Sequence, residues 1–183
     1  MGCSRRLTFD EVLSYARRYG ARDPLLVAAM AYVESNFCVD ARGAAGECGI
    51  MQIKPSTASD VMKQPITCEQ LDNPAVSIAI AVRYLHLLQD RYGERGGISA
   101  YNAGRPVIGG EYERKVLAAY SRFGGNAARY GGGEVIRAGT TPAQPHAPTG
   151  SDDETIGRVA LFSAVMLGTF LLGTAIRRLR EDW

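Results

Sequence analysis

The chain has 183 residues, of which 46% are hydrophobic and 22% are charged, with a net charge of +2. This length suits one catalytic domain with an appendage and excludes two large domains. The mildly basic balance lacks the concentrated basic surface of a nucleic-acid binder, so no nucleic-acid partner is expected, whereas a weakly anionic polymer remains compatible.

The first residues do not resemble a targeting segment. No apolar run follows Met1, and charged residues such as Arg5 and Arg6 stand in its place, so we expect no secretory signal peptide. A myristoylation signal is disfavoured because Arg6 occupies the position that requires Ser or Thr. We therefore interpret residues 1–6 as an N-terminal tail and Cys3 as a surface thiol.

Two helices are predicted in the first part of the chain. The first runs from about Thr8 to Tyr19, with its apolar residues on one face and Gly20 as its stop. The second begins with Asp23 as N-cap and Pro24 at the first helical position, followed by an apolar stripe. That stripe predicts a core helix that ends near Glu34.

The middle of the chain mixes irregular and helical patterns. Residues Asn36 to Gln64 indicate a loop or short irregular strands with a helical turn at Pro55 to Met62. A strong helix follows, capped by Asn73, carried from Pro74 to Tyr92 and ended by Gly93. Its apolar residues lie nearly all round, which indicates a central position in the core.

The catalytic-domain candidate closes with two short helices. They are predicted at Ile98 to Asn102 and from Glu111 to Phe123, which gives a domain of residues 7–123. Residues 124–154 are rich in glycine, alanine, threonine and proline, and they have few large apolar side chains to bury. We expect them to form a flexible linker.

A transmembrane helix is predicted at residues 155–177. Val159 to Ile176 form a run of 18 residues without a charge, about 27 Å as a helix and close to the hydrocarbon thickness of a bilayer. A buried core helix is the alternative. Three arginines lie in or just before the short charged tail of residues 178–183, and three acidic residues precede the run, which predicts that the catalytic domain lies on the periplasmic or outer face.

This orientation conflicts with the expected absence of a signal peptide, because a folded domain does not cross a membrane merely because a tail helix follows it. Two explanations stay open. One is a virion-associated enzyme that a phage particle places in the host envelope, so that it needs no host secretion signal. The other is an upstream start codon that was missed in this sequence. The expected location is therefore a membrane, either of a cell or associated with a virion.

Glu34 is the candidate for acid chemistry. Its neighbours one turn back, Met30 and Ala31, are apolar, and such surroundings disfavour a charged carboxylate and raise its pKa. A general acid needs a raised pKa at neutral pH. The alternative is a solvent-exposed glutamate at the C-terminus of a helix.

Four motifs follow in a fixed order after Glu34-Ser35. They are GECGIMQI at Gly46 to Ile53, AVRYL at Ala81 to Leu85, AYNAG at Ala100 to Gly104, and a late Tyr112. In this order they resemble the transglycosylase SLT family, and the resemblance covers roughly Asp10 to Tyr120. It implies a mainly α, goose-type lysozyme-like domain that acts on peptidoglycan glycan strands.

The resemblance also implies roles for individual residues. Glu34 would be the catalytic acid and then the base, while Ser35 would help to position the substrate and Tyr112 would hydrogen-bond near Glu34. The substrate-binding residues would be Ser35, Gly49, Ile50, Met51, Gln52, Tyr101, Asn102, Ala103 and Tyr112. Purely structural roles remain open for three of these residues. Met51 can be a core side chain, Asn102 a helix-ending residue and Tyr112 a half-buried aromatic.

The reaction that the resemblance implies uses one carboxyl group. Ordinary glycosidases use two, and the nearest second candidates here, Asp40 and Glu47, receive no role from the resemblance. It implies instead that the N-acetyl oxygen of the substrate stabilises an oxocarbenium-like centre. Glu34, now a base, would then take the proton of the C6 hydroxyl, giving a 1,6-anhydro sugar. A hydrolytic muramidase and an inactive glycan-binding membrane protein are the alternatives.

The four cysteines lack Cys-x-x-Cys spacing, and His86 lies far from His146 in sequence, so neither a metal site nor a cofactor is expected. Cys38 and Cys48 bracket the loop after Glu34 and are a candidate disulfide. Free thiols, or pairing with Cys3 and Cys68, remain the alternatives. The segment between Gly104 and Tyr112 is short for the family, which predicts a reduced lid.

Overall fold

The computed structural model describes residues 2–131. Most of the predicted linker, the predicted span at 155–177 and the charged tail at 178–183 lie outside this range. No helix within residues 2–131 is long and apolar enough to cross a bilayer.

Residues 2–131 are mainly helical, as predicted. Pairing between extended segments is limited to isolated bridges, among them Arg42 with Cys48 and Cys48 with Ile53. The helices are α1 (Phe9–Arg18), α2 (Pro24–Ser35), α3 (Pro55–Met62), α4 (Cys68–Leu71), α5 (Pro74–Ala103) and α6 (Glu111–Arg122), followed by a 3-10 helix (Ala127–Tyr130).

The helix starts follow the capping residues that the sequence offers. Thr8 caps α1 in a capping box with Glu11. The Asp23 carboxylate accepts hydrogen bonds from the first free N–H groups of α2, and Asn73 does the same for α5. The predicted beginnings of these three helices are thus confirmed. Each cap accepts hydrogen bonds from backbone N–H groups that the helix itself leaves unpaired.

The helix after Asn73 continues further than predicted. Gly93 has φ 76° and interrupts the helical conformation, but the chain resumes helix directly afterwards and reaches Ala103 within α5. The predicted short helix at 98–102 is therefore the second half of α5. The four-residue α4 was not predicted, although Thr67 and Gln70 form a capping box at its start.

Helix α2 lies at the centre of the core. All six residues from Leu26 to Ala31 are at most 1% exposed, and the helix packs mainly against α1 and α6. Complete burial explains why its sequence is apolar on every side rather than on one stripe. The packing fixes the C-terminal end of α2, which carries Glu34.

The predicted disulfide between Cys38 and Cys48 is wrong. Cys38 is bonded to Cys3, and Cys48 is bonded to Cys68. The reason is local pairing: Arg6 forms a bridge with Cys38 that brings the N-terminal segment alongside it. Cys3 is consequently no free surface thiol, and the predicted tail, over its described residues 2–6, is tied to the domain.

The fold continues past the predicted boundary at residue 123. Tyr130 is only 3% exposed, and its ring packs edge-on against Tyr120 at a centroid distance of 5.5 Å. Both tyrosine hydroxyls donate to Asp23 Oδ2, from 2.7 Å for Tyr120 and 2.8 Å for Tyr130. Residues 124–131, predicted as the beginning of the linker, thus pack against the start of α2.

We predict that tryptic peptides of the unreduced protein link Cys3 with Cys38 and Cys48 with Cys68. Cleavage at basic residues between the cysteines places them in four different peptides, so mass spectrometry assigns both bonds. Removing either bond by a double Cys→Ser change should lower the free energy of unfolding by about 3 kcal/mol, because each bond restricts the unfolded chain. A peptide linking Cys38 to Cys48 would contradict this pairing.

We predict that Tyr130→Ala in the full chain lowers the free energy of unfolding by roughly 3 kcal/mol, because it removes a buried ring. The matched variant Tyr130→Phe keeps the ring and should cost about 1 kcal/mol for one lost hydrogen bond. Urea unfolding measures both values. Equal stability of Tyr130→Ala and the parent chain would mean that residues 124–131 do not belong to the folded domain.

Candidate active site

Glu34 lies in the last turn of α2 and lines a cavity of about 460 Å³. The helix ends directly afterwards because Asn36 adopts the left-handed conformation, with φ 51°. The Tyr112 hydroxyl on α6 donates a hydrogen bond to Glu34 Oε1 at 2.6 Å. The predicted contact between these two residues, 78 positions apart in sequence, is thus present.

The surroundings of Glu34 favour its protonated form. Burial raises its pKa to about 7, the negative charge of Glu47 adds to the rise, and the hydrogen bond from Tyr112 acts against it. The C-terminal end of a helix also carries a partial negative charge, which disfavours a carboxylate there. Near neutral pH the carboxyl group is therefore protonated in a large share of molecules, as a general acid requires.

Two tyrosines surround the carboxyl group with groups that stay neutral. Burial raises the pKa of Tyr112 well above its ordinary value, so its hydroxyl remains a donor. Burial does the same for Tyr101, whose hydroxyl donates to the carbonyl oxygen of Met51 at 3.0 Å. Tyr101 lines the cavity beside Tyr84, with ring centroids 5.3 Å apart.

The turn formed by Gly49 to Gln52, the GIMQ turn, is held in place by contacts behind the cavity. The Ser35 hydroxyl donates to the carbonyl oxygen of Ile50 at 2.8 Å, while the side chains of Ile50 and Met51 are at most 1% exposed. Gly49 has φ 77°, and a Cβ atom at this position would collide with the carbonyl oxygen of Leu71. The glycine thus permits close packing against α4, whereas the family resemblance implied that Gly49 binds the substrate.

Gln52 closes the turn and lines the cavity. Its backbone adopts φ 47°, and its side-chain amide donates to the carbonyl oxygens of Ala41 at 3.1 Å and Gly49 at 2.9 Å. Both amide hydrogens are thereby used within the protein. The Gln52 side chain holds the loop at Ala41 against the turn, which fixes one wall of the cavity.

The predicted site residues divide into two groups. One group lines the cavity: Glu34, Gln52, Tyr101, Asn102 and Ala103. The other group lies behind or beside it and holds those residues in place: Ser35, Gly49, Ile50, Met51 and Tyr112.

Two charged residues that line the cavity, Glu47 and Lys54, were not predicted as site residues. Glu47 accepts a hydrogen bond from the backbone N–H of Ala45 at 3.0 Å and lies 3.5 Å from the ammonium group of Lys54. Backbone N–H donors lower the pKa of Glu47, with Lys54 contributing in the same direction. Glu47 stands inside the GECGIMQI motif, but a motif position alone does not tell which way the side chain points.

Asp40, the other carboxylate considered, does not line this cavity. It accepts hydrogen bonds from the backbone N–H of Ser4 at 3.0 and 3.2 Å. Hydrogen bonding by the Ser4 side chain, and then by this N–H, lowers the pKa of Asp40. It belongs to a separate cavity of about 350 Å³ near the Cys3 to Cys38 bond. Although Asp40 and these sulfur atoms lie within 4.8 Å of one another, the sulfurs are bonded to each other and are not free to hold a metal ion.

Comparison with known proteins identifies the domain. A family model described as the transglycosylase SLT domain matches residues 12–123. Solved structures of lytic transglycosylases also resemble the chain. An inactive mutant of the lytic transglycosylase Slt from Pseudomonas aeruginosa matches with TM-score 0.54 and 25% identity, over 63% of this chain and 24% of that one. The 70 kDa soluble lytic transglycosylase from Escherichia coli matches with TM-score 0.48 and 24% identity, over 64% and 19%.

The chain therefore spans about a quarter or less of the length of these two proteins. The family model, in contrast, covers more than half of the chain and includes Glu34, the GIMQ turn, Tyr101, Asn102 and Tyr112. On this match the chain belongs to the transglycosylase SLT domain family.

Proposed function

We propose that this protein is a peptidoglycan lytic transglycosylase that cleaves the bond between N-acetylmuramic acid and N-acetylglucosamine, with Glu34 as its acid and base. The observation that carries the proposal is the Glu34 carboxyl group, held in a cavity by Tyr112 with a pKa raised to about 7. The family of the domain supports the substrate class and the type of reaction.

In the first step Glu34 transfers its proton to the glycosidic oxygen while the bond from that oxygen to C1 breaks. The N-acetyl carbonyl oxygen of the muramic acid stabilises the positive charge that develops at C1. Glu34 leaves this step as a carboxylate. The Tyr112 hydroxyl, which already donates to Glu34 Oε1, then donates to a charged acceptor, where such a bond is stronger.

In the second step the Glu34 carboxylate takes the proton of the C6 hydroxyl, and O6 forms a bond to C1. The product is a 1,6-anhydro sugar, and Glu34 returns to its protonated state. No water is consumed. An intramolecular hydroxyl held near C1 has a high effective concentration and competes well against solvent.

The wall formed by Tyr101, Asn102 and Ala103 supplies sugar contacts in this proposal. Asn102 and Ala103 are exposed at the end of α5, and Asn102 offers both an amide donor and an acceptor to an N-acetyl group. Tyr101 is held through Met51, so its ring presents a fixed apolar face. The Pseudomonas structure that resembles this chain is described as an inactive Glu→Gln mutant, which agrees with a central role for a glutamate.

A second candidate is a hydrolytic muramidase. It is favoured by one observation, the second carboxylate of Glu47 in the same cavity, because hydrolytic glycosidases use a carboxylate to activate water or to attack C1. The products separate the two functions. Anhydro ends indicate the transglycosylase, whereas reducing ends alone indicate the muramidase.

We predict that Glu34→Gln lowers the rate of cell-wall digestion by at least about 100-fold, because glutamine cannot donate or accept the proton. Purified peptidoglycan is digested, and the released fragments are analysed by mass spectrometry for 1,6-anhydro ends. Glu69→Gln, which changes an exposed glutamate on α4, is the control and should digest like the parent. Near-parental digestion by Glu34→Gln would refute the assigned role.

We predict that kcat/KM falls as pH rises through about 7, since the free enzyme must carry its proton on Glu34. The same group affects stability. The pKa of Glu34 in the folded state lies above the ordinary value of 4.5. Its stabilising contribution to the free energy of unfolding is therefore fully present below pH 4.5 and is lost as pH rises through 7.

Glu34→Gln lacks this titrating group. As pH rises from 4.5 to 8, the free energy of unfolding of the variant should therefore increase by about 1 to 3 kcal/mol relative to that of the parent. Urea unfolding at several pH values measures the difference. A difference that stays constant with pH would contradict the raised pKa.

The location of the activity is part of the proposal. We propose that residues 155–177 anchor the enzyme in a membrane with residues 7–123 on the periplasmic or outer face, either in a cell or in association with a virion. Support comes from the uncharged run of 18 residues and from the charges that flank it. An anchored domain would cut only the wall within its reach, which suits a local opening of peptidoglycan.

A further inference from the structure

Glu47 is a second carboxylate in the cavity that contains Glu34. The cavity is lined by both glutamates together with Lys54, Gln52 and Tyr101. Lys54 follows the GIMQ turn and its ammonium group lies 3.5 Å from Glu47 Oε1. A cleft with two carboxylates in different surroundings is the arrangement in which one is protonated and the other is charged.

The Glu47 side chain has a fixed place. The backbone N–H of Ala45 donates to Oε2 at 3.0 Å, and the side chain is only 26% exposed. A Cβ atom on Gly43 would collide with Oε2, so the absence of a side chain at residue 43 makes room for the carboxylate. A charge that is already held in place costs no reorganisation when the substrate reacts.

We propose that Glu47 acts as a positioning residue whose fixed negative charge favours the proton on Glu34 and the positive charge that develops on the sugar ring. The inference rests on the proposed function. It adds a second carboxylate that works by its charge, without forming a bond to the substrate and without accepting a proton from it.

The groups around Glu34 leave Glu47 as the source of negative charge. Tyr112 on α6 and Tyr101 on α5 are neutral phenols, and the guanidinium of Arg6 is bound to the carbonyl oxygens at the end of α2. On α6, Lys115 forms an ion pair with Glu111 at 2.7 Å. Glu34 and Glu47 line the same cavity, and like charges repel each other, so a charged Glu47 resists ionisation of Glu34.

The same charge acts on the substrate. When the glycosidic bond breaks, the sugar ring becomes positively charged near C1, and a negative group nearby lowers the energy of that state more than the energy of the neutral ground state. Lys54 partly offsets this charge because it is paired with Glu47. The two residues should therefore have opposite effects on the proton of Glu34.

The test compares pH profiles of kcat/KM and values of kcat for the full chain on purified peptidoglycan. In Glu47→Gln the limb at high pH should move to lower pH by roughly 0.5 to 1 unit, because a like charge no longer opposes ionisation of Glu34. At the pH optimum kcat should fall about tenfold or more, with KM changed less than about threefold. Glutamine keeps an oxygen that can accept from Ala45, so the loop is retained.

Two further variants sharpen the result. Lys54→Met removes the cation and should move the limb at high pH to higher pH. A general disturbance of the cavity would not shift this limb in opposite directions in Lys54→Met and Glu47→Gln. Asp60→Asn removes an exposed carboxylate from α3 outside the cavity lining and should leave the profile unchanged. Urea unfolding verifies that each variant is folded.

A limb at high pH that stays within about 0.2 unit of the parent in both Glu47→Gln and Lys54→Met would overturn the inference. Should Glu47→Gln fail to fold, the direction of the Lys54→Met shift decides. Glu34→Gln, assayed alongside, keeps the two proposals apart. If it retains activity, the proposed function fails, whereas a loss of activity in Glu34→Gln combined with unshifted profiles rejects the role of Glu47 alone.

Discussion

The site depends on one constraint, which is the burial of the Glu34 carboxyl group at the end of a core helix. Helix α2 is fully buried along Leu26 to Ala31, so its last turn cannot shift without disturbing the core. The left-handed residue Asn36 then turns the chain away. The carboxyl group remains partly removed from water, with Tyr112 donating to it, and this environment makes a glutamate a useful acid near neutral pH.

The remaining polar residues of the motifs mostly hold backbone in place. Ser35 donates to the carbonyl oxygen of Ile50, and Tyr101 donates to that of Met51. These bonds tie the GIMQ turn to α2, which carries Glu34, and to α5. In the proposed mechanism the geometry must persist through two proton transfers, and supports that bind the backbone rather than the substrate serve that purpose.

The sequence predicted what local chemistry encodes. Asp23 and Pro24 mark the start of α2 within two residues, and the order of the motifs indicated Glu34 and Tyr112. The disulfide pairing and the packing of Tyr130 were missed because they depend on residues distant along the chain, such as Asp23, 107 positions before Tyr130. No local signal distinguishes a linker glycine from one that leads into a packed 3-10 helix.

The difference between Glu34 and Glu47 illustrates the same limit inside the cavity. They are the same residue type, 13 positions apart in sequence, yet their pKa values shift in opposite directions. Glu34 is at the end of a helix where the exposed groups are carbonyl oxygens, whereas Glu47 is in a loop that directs N–H groups at it and places Lys54 nearby. Burial of Glu34 and the N–H groups directed at Glu47 therefore shift the two pKa values apart, and both features become visible only in the fold.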